Sequence, residues 1–136
     1  MTTQIVRNLS VALFAAATLF AQGSQTLKVQ VPFGFHVGKS VLPAGGYTVY
    51  TEGPAHVLRL TSDDSKSTVM IQSNAVEKLS PPSQGMLIFN KYGDEYFLSQ
   101  VWRPGNNTGR ELQKTKREFE VAAIARRGTQ SVVAKQ

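Results

Sequence analysis

The sequence predicts a mainly β protein, an antiparallel β-sandwich or small barrel of about seven strands followed by one C-terminal α-helix. Three observations support this fold class. Large apolar residues alternate with polar ones through much of 27–102, as they do along strands with one buried face. Clusters of Gly, Pro, Asp and Ser interrupt that alternation at intervals of roughly 8–12 residues. Beyond residue 110 a stretch of 17 residues, 111–127, contains neither proline nor glycine.

Residues 1–23 are expected to form a secretory signal peptide. Arg7 supplies a positive charge, and the apolar run 9–20 has the length of roughly 7–15 residues typical of such peptides. Small residues then allow cleavage before Ser24, or alternatively directly after Ala21. The run is too short to span a bilayer comfortably. The sequence therefore predicts an exported protein, periplasmic or secreted, with no transmembrane segment after cleavage.

The chain contains no cysteine. This excludes a disulfide scaffold, a thiolate zinc site and a cysteine nucleophile. An exported domain without disulfides depends on its apolar core for stability.

The β-rich body is expected over residues 24–107 and begins with a long strand. Pro32 falls on the outward side of that strand and cannot donate a ladder hydrogen bond, which indicates an edge strand or a bent pair. An exposed edge at 27–37 would allow a homodimer by strand addition. The apolar residues of this strand all have odd numbers: Leu27, Val29, Val31, Phe33, Phe35 and Val37.

The middle of the body is predicted to contain three further strands. A turn at 42–46 is expected to close a bulged hairpin and precedes a strand at 47–52, which is rich in Thr, Val and Tyr. The strand at 56–61 directs Leu58 and Leu60 inward. A polar turn, 63–66, then leads to a strand that contains Val69 and Ile71.

The last two strands of the body are predicted to form a hairpin. A loop rich in breaking residues at 80–85 precedes residues 86–89, which are apolar on both parities and indicate a central strand. Gly93-Asp94 is typical of a two-residue turn with glycine first. The strand at 96–102 follows and carries large residues on both faces.

A basic helix is predicted over 108–128, packed on the body or projecting from it. Thr108 lies three residues before Glu111, which is a capping-box pattern, and Gly128 is suited to end the helix. Residues 129–136 are expected to fray. The apolar stripe of this helix comprises Leu112, Phe119, Ala122 and Ala123.

Charge is distributed unevenly along the chain. Residues 24–102 contain six basic and six acidic side chains, whereas residues 103–136 contain eight basic and three acidic ones. Arg110, Lys114 and Arg117 recur at helical spacing and are candidates for a cationic ridge that binds anionic lipid, polysaccharide or nucleic acid. The interleaved glutamates favour the alternative of a solvated face.

The sequence contains no recognisable catalytic motif, and no cofactor or metal is expected. His36 and His56 lack the spacing of a zinc site. The acidic pairs Asp63-Asp64 and Asp94-Glu95 fall in predicted turns, where acidic residues are common for backbone reasons.

An aromatic cluster near the end of the body is the other candidate for ligand contact. Tyr96, Trp102 and Arg103 are the residues suited to stack a sugar ring or a base. Strands also use aromatic residues for core and cross-strand packing, which is the alternative interpretation.

Two stretches resemble a known group of proteins. They are VPFGFHVG followed by LPAGGYTV within 31–49, and FNKYGDEYFLSQVW at 89–102 continuing to 109–112. They are similar to a family of small exported proteins of unknown function from soil bacteria. The resemblance implies a signal peptide, a β-rich body and a short C-terminal helix, but it implies no activity and no site residues.

Three functions follow as hypotheses. The first is an exported non-catalytic β-domain that acts as a structural or binding module. The second is an envelope-associated module whose basic helix binds an anionic surface or polymer. The third is a hydrolase, which requires Arg59, Asp94, Tyr96 or His56 to converge in a cleft.

Overall fold

The computed structural model describes residues 26–52, 56–125 and 130–135, so the predicted signal peptide and the predicted stop at Gly128 lie outside the described residues. The described chain forms eleven strands in two sheets and one helix, α1 (Lys116–Ile124). The strands are β1 (Thr26–Val31), β2 (Phe35–Val37), β3 (Ser40–Leu42), β4 (Gly45–Glu52), β5 (Val57–Ser62), β6 (Thr68–Gln72), β7 (Asn74–Glu77), β8 (Met86–Tyr92), β9 (Glu95–Trp102), β10 (Thr108–Glu111) and β11 (Gln130–Lys135).

The two sheets form an open sandwich rather than a closed barrel, which confirms the predicted fold class. The small sheet is antiparallel with the strand order β1-β4-β5-β6. The large sheet has the order β11-β8-β9-β10-β7, and β2 and β3 attach to it because β2 pairs in parallel with β9. The number of strands exceeds the predicted seven because several are only three or four residues long.

The core lies between the sheets and is built from alternate residues of most strands. Leu58 and Leu60 of β5 are fully buried, as their parity predicts. Leu87 and Phe89 of β8 are also fully buried, and β8 lies between β11 and β9, as predicted for a central strand. Burial of this apolar surface replaces the disulfides that the chain lacks.

The predicted strand at 27–37 is two strands in different sheets. β1 is an edge of the small sheet and pairs with β4, whereas β2 belongs to the large sheet. The break falls at Pro32, whose missing N–H leaves a ladder position open. Val31 and Phe35 on either side are both buried, so the odd-numbered parity crosses the bend.

Two of the three predicted turns have the expected role. Gly93 has φ +63 and stands in the turn of the β8–β9 hairpin, where Tyr92 pairs with Glu95. Residues 63–66 join β5 to β6. The turn at 42–46 instead connects β3 to β4, two strands that are not paired with each other.

The predicted helix at 108–128 is wrong in its first eight residues. Thr108–Glu111 is strand β10, and α1 begins only at Lys116. This strand pairs with β7 and β9, and Gly109 lets it approach Trp102: a Cβ on Gly109 would lie 2.6 Å from the ring, so the backbone itself covers the indole. The N-cap is Thr115, whose hydroxyl accepts the N–H of Glu118 at 3.1 Å, a second Thr-x-x-Glu pattern seven residues after the first.

The predicted apolar stripe of the helix is confirmed only at Ala122. Val121 is buried against Tyr92 and Phe97, and Ala122 and Ala125 pack beside it. The other three predicted members are dispersed, since Leu112 lies in the core before the helix, Phe119 is 62% exposed and Ala123 is exposed.

The predicted frayed tail at 129–136 is wrong, because residues 130–135 form β11. This strand pairs with β8 along its whole length, from Gln130 opposite Lys91 to Lys135 opposite Met86. Ala134 is fully buried in the core. The β-rich body therefore extends beyond residue 107 and includes β10 and β11.

Candidate functional site

Glu118 is a carboxylate buried between α1 and the outer face of the large sheet. It is 4% exposed, and its Oε2 accepts hydrogen bonds from the Tyr92 hydroxyl at 2.8 Å and from Asn90 Nδ2 at 3.0 Å. Burying a charge without partners is costly, and these two donors from β8 offset that cost. Burial, followed by the hydrogen bond to Glu118, raises the pKa of Tyr92 to about 12.

A second group of polar side chains lies at the rim of the same helix. Glu95 Oε1 is 3.1 Å from His36 Nε2, and Glu95 Oε2 is 2.9 Å from Arg117 Nη2. The His36 ring stacks on Phe97 with centroids 4.1 Å apart. These contacts connect β2, β9 and α1, and we call the two groups together the helix-anchoring cluster: His36, Asn90, Tyr92, Glu95, Arg117 and Glu118.

The predicted cationic ridge is wrong, because its three residues do not share a helix. Arg110 lies on β10, where its Nε donates to Ser73 Oγ at 2.9 Å and its Nη2 to the Ser73 carbonyl at 3.0 Å. Lys114 is exposed in the link before α1. Only Arg117 lies on the helix, and it is bound to Glu95. Helical spacing in the sequence has no meaning here, since the strand ends at Glu111 and the helix begins after Thr115.

The candidate aromatic contact residues also lie apart. Tyr96 stacks on Phe33 at 3.7 Å and packs against the core between the sheets. Burial, followed by the charge of Asp94, raises the pKa of the Tyr96 hydroxyl.

Trp102 lies at the other end of β9 and is 1% exposed, so it has the packing role given as the alternative. Its Nε1 donates to Gln100 at 2.9 Å, and Lys78 Nζ lies 4.6 Å from its ring centroid. Arg103 follows β9 and is half-buried. Because Val101 points into the core, Trp102 faces the outer side of the sheet, away from Tyr96.

The four residues proposed for a hydrolase are distributed over two sheets and two turns. Arg59 is on β5 and lies 3.9 Å over the ring of Tyr50. His56 is an exposed turn residue with φ 58, Asp94 is exposed in the β8–β9 turn, and Tyr96 is stacked as described. This distribution does not form the cleft that the hydrolase hypothesis requires.

A shallow pocket of about 200 Å³ lies at one end of the small sheet, between the 43–47 segment and the β5–β6 turn. The Asp64 carboxylate at this pocket stabilises the β5–β6 turn: its Oδ1 accepts from Ser62 Oγ at 2.6 Å and from the Lys66 N–H at 2.9 Å. These two hydrogen bonds lower the pKa of Asp64. Burial raises the pKa of Tyr47, whose hydroxyl donates to the Pro43 carbonyl. The volume is below the roughly 300 Å³ at which drug-sized ligand sites begin.

The outer side of the small sheet is not covered by α1, and its side chains are half or fully exposed. The strand registers place two rows across it. We call this surface the open face and define it by Thr26, Tyr50, Arg59 and Met70 in one row and Lys28, Thr48, Thr61 and Thr68 in the other.

Among the described residues, no group of three or more His, Cys, Asp or Glu is arranged to hold a metal ion. In the same residues, no helix has the length and apolar character needed to cross a membrane. Comparison of the chain with family models, curated proteins and solved structures returned no match.

Proposed function

We propose that the chain is an exported, non-catalytic β-sandwich of the periplasm or extracellular space that acts as a binding module, with the open face as its contact surface. One observation carries this proposal. Polar side chains on the outer face of the large sheet are used in contacts within the chain, as Glu118 and Glu95 are. On the open face, Lys28 and Thr68 are exposed, and Thr48, Arg59 and Thr61 are half-buried without a covering element among the described residues.

The chemistry of the open face fits an extended polymer that is rich in hydroxyl and carboxylate groups. Threonine hydroxyls both donate and accept hydrogen bonds, and the strands space them regularly at about 4.8 Å. Lys28 is exposed on β1, so its ammonium group can meet a carboxylate. Arg59 lies 3.9 Å over the ring of Tyr50 on the same face and makes that face more positive. A carboxylated polysaccharide is the ligand class that combines these groups.

Affinity electrophoresis tests the binding step. Native gels that contain polygalacturonate are compared with gels that contain uncharged hydroxyethylcellulose. We expect the protein to be retarded in the first, with Lys28→Ala weakening the retardation about tenfold, the equivalent of one charge-assisted hydrogen bond. Lys116→Ala removes the same charge from an exposed position on α1 and serves as the control. Equal effects of the two variants, or no retardation of the unaltered protein, contradict the proposal.

Two further measurements test the remaining parts. Release of new reducing ends from the polysaccharide during long incubation would contradict the non-catalytic role. Expression of the full chain in a bacterial host, followed by fractionation and N-terminal sequencing, should give an exported product that begins at Ser24 or directly after Ala21. An uncleaved product in the cytoplasm contradicts export.

A further inference from the structure

The last strand of the small sheet, β6, has an unusual composition for an edge. Within the described residues, β5 is its strand neighbour and the order of the sheet ends with it. Residues 67–76, STVMIQSNAV, contain no charged residue, no proline and no glycine. Natural edge strands are usually protected from pairing with other chains by charges, prolines or bulges. The opposite edge, β1, has such features, since it carries Lys28 and is followed by Pro32.

The hydrogen-bond pattern identifies which backbone groups of β6 face outward. The Ser62 N–H donates to the Ser67 carbonyl and the Ser73 N–H donates to the His56 carbonyl, both at 2.9 Å. These are the hydrogen-bonded pairs of the antiparallel ladder, and such pairs alternate with non-bonded ones. Positions 69 and 71 therefore bond to β5, whereas Thr68, Met70 and Gln72 direct their N–H and C=O groups away from it. We call this row the free edge.

The free edge is held in an extended conformation by contacts at its end. Ser73 is 6% exposed, and its hydroxyl donates to the His56 carbonyl at 2.9 Å. The guanidinium of Arg110 donates to the hydroxyl and to the carbonyl of Ser73. This explains the position of Arg110, which joins the end of β6 to β10. A preorganised strand loses little conformational entropy when a second strand pairs with it.

We propose that two copies of the chain pair through β6, antiparallel and about a two-fold axis at Met70. Closed dimers require a patch that is complementary to itself, and this register fulfils that condition. Met70 faces its own counterpart, and Thr68 of each copy faces Gln72 of the other. The three outward-facing positions then form roughly six hydrogen bonds between the copies, two for each pair.

The side chains favour a second copy as the occupant. Val69 and Ile71 are half-buried opposite Leu60 and Leu58, and in the dimer they pair across the axis and continue the core of each sandwich. Met70 is 61% exposed and gains an apolar partner on the outer side. Self-pairing brings no like charges together, because the strand carries none. The two open faces become one continuous surface of eight strands, which gives bivalent contact with a long polymer.

Sedimentation equilibrium of the processed chain tests this proposal independently of any ligand. We expect a monomer–dimer equilibrium that Met70→Lys weakens at least tenfold, because two ammonium groups would meet at the axis. Val41→Lys places the same charge at a site of similar exposure on β3 and should leave the dimer unchanged. Circular dichroism verifies that both variants are folded.

A charge-exchange experiment locates the axis. Met70→Lys and Met70→Glu should each be monomeric alone, and an equimolar mixture should dimerise, since opposite charges then meet at the position of the axis. A wild-type protein that remains monomeric at 100 µM or more contradicts the proposal. A dimer that is insensitive to Met70→Lys, or equally sensitive to Val41→Lys, also contradicts it.

Discussion

The two outer faces of the sandwich use their polar side chains in different ways. On the outer side of the large sheet, Trp102 of β9 and Glu118 of α1 are almost completely buried, and each has a hydrogen-bond partner within the chain. On the open face, Lys28 and Met70 remain exposed. A covered polar residue needs a partner for its donors and acceptors, which fixes it in one arrangement. The difference shows that the helix-anchoring cluster stabilises the fold, whereas the open face, which we propose for ligand contact, has no such cover in the described part of the chain.

The origin of the difference is the character of the outward residues. β8 and β9 carry Tyr92, Phe97 and Trp102 on their outer side, and these large rings need a cover. Helix α1 covers the first two, whereas Gly109 and Lys78 cover the third. Half of the eight positions that define the open face are threonines, which are stable in solvent-facing strands without a cover.

The largest expected difference in the free energy of unfolding is between alanine substitutions of Trp102 and Tyr50. We expect Trp102→Ala to lower the free energy of unfolding by about 3–5 kcal/mol, because it leaves a cavity under β10. Tyr50→Ala on the open face should cost about 1 kcal/mol or less. Urea unfolding followed by circular dichroism measures both, and Trp102→Phe is used if the alanine variant does not fold. Similar losses at the two positions would show that the faces do not differ in burial.

The next effect concerns the buried carboxylate. Glu118→Ala leaves the Tyr92 hydroxyl and the Asn90 amide without their acceptor, so we expect a loss of about 1–3 kcal/mol. Glu118→Gln keeps an acceptor oxygen and should lose less. Glu120→Ala, at an exposed position of the same helix, should change stability by no more than about 0.5 kcal/mol. Equal losses for residues 118 and 120 would contradict the anchoring role.

The core and the start of α1 show what sequence patterns predict well and what they do not. Alternation predicted Leu58 and Leu60 in the core, because parity along a strand is local. The Thr-x-x-Glu pattern occurs twice, at Thr108 and Thr115, and only the second caps a helix. The first pattern lies on β10, whose pairing with β7 and β9 is made between residues far apart in the sequence and is not visible in a local pattern.

The candidate sites were harder to predict for the same reason. The ridge of Arg110, Lys114 and Arg117 assumed one continuous helix, and a strand end within it removed that basis. Glu118 was missed because a carboxylate normally faces solvent, and its burial depends on two donors supplied by β8, 26 and 28 residues earlier. The charge-free run at 67–76 was visible in the sequence, but only the sheet order makes it an edge.

The pH dependence of stability tests the burial of Tyr92 between α1 and the outer side of the large sheet. The pKa of Tyr92 rises from 10.0 to about 12 in the folded chain, so the folded state favours the neutral phenol. The stability contributed by this preference is complete below pH 10 and is lost as the pH rises towards 12. We expect the free energy of unfolding of Tyr92→Phe to fall less steeply with pH in that range than that of the unaltered protein. Parallel slopes would show that Tyr92 is not buried beside Glu118.

The smallest effect is expected at the rim of the helix. The Arg117 side chain is 56% exposed, so its 2.9 Å contact with Glu95 is screened by solvent. Arg117→Ala should therefore cost only about 0.2–1 kcal/mol and less at high salt, whereas Lys116→Ala should cost nothing measurable. Unfolding of both variants at low and high salt tests this.

The interior of the helix-anchoring cluster is held by the hydrogen bonds of Tyr92 and Asn90 to Glu118, so removal of the rim contact should leave α1 in place. Far-ultraviolet circular dichroism of Arg117→Ala would then show an unchanged helical signal. Loss of that signal in Arg117→Ala would instead make the exposed ion pair the main anchor of the helix.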